Sequence, residues 1–438
     1  LGLITKIYVT INRIPGLLWA TQGIEEEKMR SYNTDVAVIG AGAAGLSAAL
    51  AASREGARVL LIERNEDSGG ILNQCIHNGF GLHYFKTELT GPEYAFRLAQ
   101  MIEERSIEVL TQRYLLDIDS QKKQIKVVSE KGIEFINTKS LVYACGARER
   151  PFGSLLVPSS RACGVYTAGV AQRFINLENK MIGKSAVILG SGDIGLIMAR
   201  RLTLEGVKVQ AVIERMPYPG GLVRNINQCL KDFDIPLYLS HTVTQVRGDA
   251  RINEVVVCQV DEKYCVVPQT EKIFSVDTLI LSVGLIPETS KLYGKVNLDP
   301  STKGVITDSS GQSSDPFIFA AGNCVIVYDL VDYVSAEGEN AGRNAALYAA
   351  GKEWVEKVKI EKGNNIGIIN PSFYVRNTVL DIYARVRKPV EKASFVVRDS
   401  DEVIFSTKNK SYVPSEMIHI KIDKEKLSGV KKLTVEVI

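Results

Sequence analysis

No two of the seven cysteines (Cys75, Cys145, Cys163, Cys229, Cys258, Cys265, Cys324) form a CxxC. Their spacing fits neither a disulfide framework nor a zinc site, so a reducing, cytoplasmic setting is the expectation. Charge of one sign is missing as well. Lys and Arg number 53 against 50 Asp and Glu, a net +3 without a long basic run, which argues against nucleic acid as a partner. No stretch reaches the roughly 18 unbroken apolar residues of a membrane-spanning helix. The segment from Leu1 to Ala20 is apolar but is broken by Lys6, Asn12, Arg13 and Pro15. No small-residue cleavage site follows a clean apolar core, so it does not read as a signal peptide. Residues 1–28 read as an N-terminal extension without chemistry; a natural start near Met29 is the other reading. Also absent are a Ser/His/Asp set, a metal-ligand spacing and a paired-carboxylate motif, so no metal site is predicted.

What is present is a glycine fingerprint, twice. Asp35-Val-Ala-Val-Ile-Gly40-Ala-Gly42-Ala-Ala-Gly45 precedes Arg58-Val-Leu-Leu-Ile-Glu63, and Ser185-Ala-Val-Ile-Leu-Gly190-Ser-Gly192-Asp-Ile-Gly195 precedes Val207-Lys-Val-Gln-Ala-Val-Ile-Glu214. Each predicts strand, tight turn, helix, strand, acid. The first glycine allows the turn, the second admits a pyrophosphate, and the third lets helix and strand pack closely. The acid, roughly 20 residues on, sits where a ribose hydroxyl would lie. One such motif is weak evidence; two in full context predict two dinucleotide sites.

A chain of 438 residues with 45% hydrophobic content suits two to four domains. The first unit holds strands at Asp35–Ile39 and Ile107–Thr111, a meander over Leu115–Thr138, and a returning strand Ser140–Ala144. The second repeats this plan and closes with Gly284-Leu-Ile-Pro287, in the role of Ala144-Cys-Gly-Ala147. The expected fold is α/β. Two Rossmann-like units cover 29–160 with 289–352 and, inserted between these, 161–288, followed by a small antiparallel β domain over 353–438. That last domain reads as a cover or docking surface.

With these motifs and Ala320-Ala-Gly-Asn323, residues 33–350 resemble the pyridine nucleotide-disulfide oxidoreductases. The resemblance implies FAD on the first fingerprint and NAD(P)H on the second. It places the flavin ribityl chain at Gly322-Asn323, where the family's aspartate is an amide. A narrower resemblance rests on Gly69-Gly-Ile-Leu-Asn-Gln-Cys75-Ile-His77-Asn-Gly-Phe-Gly81, Gly164-Val-Tyr-Thr-Ala-Gly169 and Gly192-Asp-Ile-Gly-Leu-Ile-Met-Ala-Arg-Arg201. These look like the FAD/NAD subunits associated with anaerobic glycerol-3-phosphate dehydrogenase. More distantly, they resemble subunits of sarcosine oxidase, opine oxidase and dye-linked proline dehydrogenase.

The residues expected to hold FAD are Gly40, Gly42, Ala43, Gly45, Glu63, Arg64, Gly70, Ala144, Gly146, Gly322, Asn323 and Ala336. A helix beginning near Ala336 would point its positive end at the flavin. NAD(H) is assigned Gly190, Gly192, Asp193, Ile194, Glu214, Arg215 and Gly284. Asp193 also reads as a capping acid. Glu214 disfavours a 2′-phosphate, so NADH is preferred over NADPH, with Arg215 and Arg224 as the counter-signal. In the family resembled, dithiol relays need two cysteines after the Gly-Gly pair or a CxxC in the NAD domain. Here only Cys75 follows, with Phe80 five residues later, so no relay is expected. Cys75 reads as a buried thiol, or as a lone redox cysteine; His77 reads as a packed histidine or a proton donor.

These readings converge on an FAD-dependent NADH oxidoreductase that passes electrons to a partner. The resemblance implies a separate substrate-oxidising flavoprotein in a hetero-oligomer of the glycerol-3-phosphate dehydrogenase type. Other readings of the same motifs are a free-standing NADH oxidase or peroxidase using Cys75, a component of an opine or proline dehydrogenase, and an assembly component with structural FAD.

Overall fold

Strand β1 (Arg30–Ile39) runs from exposed to buried, and its apolar end, Val36–Ile39, lies at the centre of a parallel sheet. The computed structural model describes residues 30–354 and 356–438; the expected extension over residues 1–28 lies outside the described residues. β2 (Val59–Ile62), β3 (Glu108–Leu110), β4 (Tyr114–Asp119), β5 (Gln124–Ser129) and β6 (Gly132–Tyr143) complete the sheet in the order β3-β2-β1-β6-β5-β4. The meander and the returning strand, read separately in the sequence, are joined in β6, which is one 12-residue strand. Its first half is a hairpin arm against β5, and from Glu134 to Tyr143 it pairs in parallel with β1. Ile318–Ala320 adds to the end of that strand through Ile318↔Leu141 and Ala320↔Tyr143. Distant segments therefore end together at Tyr143 and Ala320.

Helix α1 (Ala43–Arg54) is built almost wholly of small residues, and ten of its residues are buried. The reason is its neighbour, the helix Val331–Ala349. A Cβ on Gly338 would collide with the Ala44 carbonyl, and one on Gly342 with the Ala48 carbonyl. The two backbones touch because side chains are absent between them.

The second unit repeats the plan. β7 (Val165–Thr167), β8 (Ser185–Leu189), β9 (Lys208–Ile213), β10 (Leu237–Tyr238) and β14 (Thr278–Leu281) form a parallel sheet in the order β7-β14-β8-β9-β10. An antiparallel layer of β11 (His241–Gly248), β12 (Ile252–Gln259) and β13 (Lys272–Ser275) packs on it. The two chain crossings between units pair with each other: Ala147–Glu149 runs antiparallel to Leu285–Pro287. Gly146 and Gly284 precede these arms with φ +68 and +96.

Residues 357–437 form sheets around a core of Tyr374, Ile382, Phe395, Leu433 and neighbours. One pairing corrects the antiparallel expectation: Ile360↔Leu433 is parallel, because the final strand returns alongside the first. This domain packs on the first unit. Tyr383 and Met417 enter the core on the β4–β6 side of the first sheet, beside Ile326 and Tyr328.

Candidate functional site

At the first fingerprint, Gly40 takes φ +99, and a Cβ there would press on the Ala144 carbonyl at 2.5 Å. Gly45 packs against the Gly40 carbonyl. Gly42 differs from both, since a Cβ built on it meets nothing within 4 Å. It is the N-cap of α1 without any side-chain cap, so the N–H groups of Ala43 and the next residues face open space with the helix dipole behind them. This cradle fits a dinucleotide pyrophosphate. Glu63, 5% exposed, accepts the N–H of Ala41 at 2.8 Å through Oε2 and that of Asn65 at 2.8 Å through Oε1. Its carboxylate fixes the glycine turn against the end of β2, with lone pairs left for hydroxyl donors. Gly69 donates to the Ala41 carbonyl at 2.7 Å, and a Cβ on Gly70 would come within 3.1 Å of Gly42 Cα. The Gly-Gly pair is thus the rim of the cradle. Arg64 is exposed beside it.

The second fingerprint has the same geometry. Gly190, at φ +102, abuts the Ser282 carbonyl, while Gly192 meets only Ser282 Oγ at 3.8 Å. Glu214 Oε2 accepts the N–H and the hydroxyl of Ser191 at 3.0 and 2.6 Å, and Oε1 accepts the Met216 N–H at 2.8 Å. Asp193 is not a cap in the ordinary sense. Its Oδ1 accepts the Leu222 N–H at 2.8 Å and Asn225 Nδ2 at 2.7 Å, holding the 220–225 segment over the turn. Ile194 follows it, half-buried, in the helix Asp193–Leu204. Arg215 stacks on Tyr264 at 4.9 Å. Arg224 reaches across to the first unit, where a Cβ on Gly79 would lie 3.1 Å from its Nη2.

The sequence reading missed three residues here. Ser191 hydroxyl accepts the Gly220 N–H at 2.8 Å while donating to Glu214. Gly220 lies over the turn, its built Cβ 3.6 Å from Gly192 N, and a Cβ on Gly221 would sit 2.9 Å from Asp193 Oδ1. The signal was present: Gly69-Gly70 and Gly220-Gly221 begin six residues after Glu63 and Glu214 respectively.

Cys75 follows the first Gly-Gly pair, on a segment docked to the second unit. Gln74 Nε2 donates to the Gly169 carbonyl at 2.8 Å and to Gln172 at 3.1 Å, and Asn176 Nδ2 donates back to the Gln74 carbonyl at 2.8 Å. The thiol donates to the Ile71 carbonyl at 3.3 Å and lies 3.8 Å from Gln172 Oε1. Burial pushes it up to about 12, with no cation among the causes, so it is protonated near neutrality and lacks the activation a nucleophilic cysteine requires. His77 donates through Nδ1 to the Asn78 carbonyl at 3.0 Å and packs on Phe80. Burial lowers its pKa against the raising effect of that hydrogen bond, with Arg224 and Arg200 adding to the lowering, which favours the neutral ring.

On the far side of the cradle, Gly322 (φ +80) begins a turn directly against Ala44. Asn323 Oδ1 accepts the Tyr328 N–H at 3.1 Å, leaving Nδ2 as the donor it presents. The expected helix start is corrected. The helix begins at Val331, with Asp332 in its first turn, and Ala336 is an exposed second-turn residue. Leu330 caps it without a side-chain bond, so no capping residue marked the start. The β-branched and aromatic residues of Val331–Val334 hid it further.

The sequence model of the family described as pyridine nucleotide-disulphide oxidoreductase matches residues 34–352. A component of the opine oxidase of Agrobacterium tumefaciens is 26% identical over 339 residues, 72% of this chain but only 65% of that protein. Thioredoxin reductase of Listeria innocua is 27% identical over 319 residues, 72% of this chain and 93% of that one. Among solved structures, thioredoxin reductase of T. acidophilum superposes with a TM-score of 0.60 at 22% identity, covering 73% of this chain and 99% of its own. The fold is therefore of the thioredoxin reductase type, with two Rossmann-like units.

Proposed function

This chain belongs to the pyridine nucleotide-disulphide oxidoreductase family, and we propose that it is the NADH-oxidising, electron-transferring member of a larger complex. Membership makes it an FAD-dependent NAD(P)H oxidoreductase. The proposal divides it into an FAD domain (29–160 with 289–352), an inserted NAD domain (161–288) and a C-terminal domain (353–438). The two cofactors, when bound, supply hydride exchange between nicotinamide and flavin.

The chain's part is to hold and orient them. Gly42, with the uncapped start of α1, receives the FAD pyrophosphate, and Glu63 its ribose. Gly192 and Glu214 do the same for NADH, under a lid of Gly220-Gly221. Gly322 and Asn323 seat the flavin side chain. No side chain is required as nucleophile, and the protonated Cys75 fits that role poorly. The observation that carries the reading is this pair of open cradles, each with a fixed acid, and no activated thiol beside them. Partnership is supported by the name of one relative, which is one component of an opine oxidase. The glycerol-3-phosphate dehydrogenase type of complex is our specific proposal.

Nucleotide choice tests the site. Glu214 faces the second cradle, while Arg215 is engaged by Tyr264 and Arg224 by the first unit. NADH should therefore reduce the bound flavin with at least tenfold higher kcat/KM than NADPH, using a dye acceptor, about 1.4 kcal/mol of discrimination. A preference for NADPH would overturn the assignment of Glu214.

A further inference from the structure

A buried carboxyl links the Gly322–Asn323 turn to the C-terminal domain. Glu337 lies in the second turn of the helix Val331–Ala349 and is 7% exposed. Its Oε2 accepts the Gly322 N–H at 2.5 Å, and its Oε1 accepts Asn370 Nδ2 at 2.6 Å. Asn370 ends strand Ile366–Asn370 of the C-terminal domain, and its own Oδ1 accepts the Thr307 hydroxyl at 3.0 Å. The Tyr328 hydroxyl lies 3.2 Å from Asn370 Nδ2, and the Tyr328 N–H donates to Asn323. Glu337, Gly322, Asn323, Tyr328 and Asn370 thus close a ring of polar groups, all buried except the half-buried Asn323. The sequence did not mark this ring, since Asn370 is 33 residues from Glu337 and nothing in its surroundings sets it apart.

We propose that Glu337 is a positioning residue that sets the Gly322–Asn323 turn, and with it the seat of the flavin, through the docking of the C-terminal domain at Asn370. This rests on the assignment of that turn to the flavin side chain. The physical case is the cost of the carboxylate. A buried charge persists only when its oxygens are filled by donors, and here one donor comes from the turn and the other from a separate domain. Losing either leaves the charge underpaired, so the turn and the domain hold each other. A proton on Oε1 would face the Asn370 N–H, donor against donor, and open the ring. The titratable groups facing Glu337 are Tyr328, Tyr383 and Cys324, all protonated by burial, with no cation among them. Burial is the largest influence on Glu337 and pushes it up to about 7, against the lowering effect of the Gly322 N–H, Tyr328 and Asn370. The ring is therefore closed above neutrality and opens as pH falls through it.

The test uses the full-length FAD-loaded protein. Visible absorption of the bound flavin is recorded from pH 5 to 9, and FAD affinity at pH 8, for the parent and for Glu337→Gln, Asn370→Ala and Asn323→Ala. The parent spectrum should change with one inflection near pH 7. Glu337→Gln should abolish the inflection and weaken FAD about tenfold. Asn370→Ala should move the inflection to higher pH, because the carboxylate loses a donor. A parent spectrum without the inflection, or an inflection that persists in Glu337→Gln, overturns the proposal. Should Glu337→Gln fail to fold, an unmoved inflection in Asn370→Ala overturns it alone. Asn323→Ala separates the two layers: if it changes the flavin spectrum while the other variants do not, only this inference fails. If Asn323→Ala changes nothing, the turn does not seat the flavin, and both readings fail together.

Discussion

Gly42 and Gly45 stand three residues apart and act in opposite ways. Gly45 is glycine because the Gly40 carbonyl occupies the space a Cβ needs, whereas Gly42 borders space that the protein leaves open. The backbone at Gly42 has φ −79, a value any residue adopts. Gly42→Val should therefore fold and yet fill the phosphate cradle. The expected outcome is a protein that purifies without its yellow colour and matches the thermal stability of the flavin-free parent; a fully flavinated variant would contradict the assignment. Cys75 makes the complementary case. With its thiol protonated and donating to the Ile71 carbonyl, Cys75→Ser should retain NADH-to-dye activity within a few-fold. A hundredfold loss, about 2.7 kcal/mol of transition-state stabilisation, would instead make the sulfur part of the reaction.

Among the elements, the contact of α1 with the helix Val331–Ala349 sets the spacing around the Gly322 turn, to which the proposal assigns the flavin side chain. The same helix carries Glu337 and begins beside the Gly322 turn, so its distance from α1 is transmitted to the site. Gly342 lies on the contact, with the Ala48 carbonyl where a side chain would go. Gly342→Val should force the helices apart and destabilise the fold by about 1–3 kcal/mol or more, measured by denaturant unfolding of the flavin-free protein. Unchanged stability would mean that the helices separate freely. The paired crossings Ala147–Glu149 and Leu285–Pro287 do another job. They gather both connections between the nucleotide units into one two-stranded ribbon.

For the whole molecule, both recognisable cradles are assigned to cofactors. Among the described residues no cluster of three or more His, Cys, Asp or Glu side chains is arranged to hold a metal ion, and no helix is long and apolar enough to cross a membrane. In the function proposed above, the organic substrate belongs to a partner. The isolated polypeptide should therefore act as a diaphorase, passing electrons from NADH to dyes, and should not oxidise glycerol 3-phosphate or proline. Reduction of NAD by either substrate at an ordinary enzymatic rate, with the purified chain alone, would sink the proposal that it serves a larger complex.

Both nucleotide units were legible from residue order. Strand, glycine turn, helix and acid are specified within about 30 residues each, because the fingerprint is a local requirement of backbone and packing. The same residue order carried the offset that places Gly220-Gly221 as Gly69-Gly70 is placed, although only the folded chain made that correspondence meaningful. Features that depend on partners far along the chain were settled by folding. Burial, and not the residues flanking Cys75, keeps its thiol protonated. Cross-domain bonding, and not nearness along the chain, joins Glu337 to Asn370. The helix start at Val331 was hidden because Leu330 has no capping side chain and the first turn packs against other elements. Local hydrogen bonding writes itself into spacing; desolvation and long-range pairing depend on which residues the fold brings together.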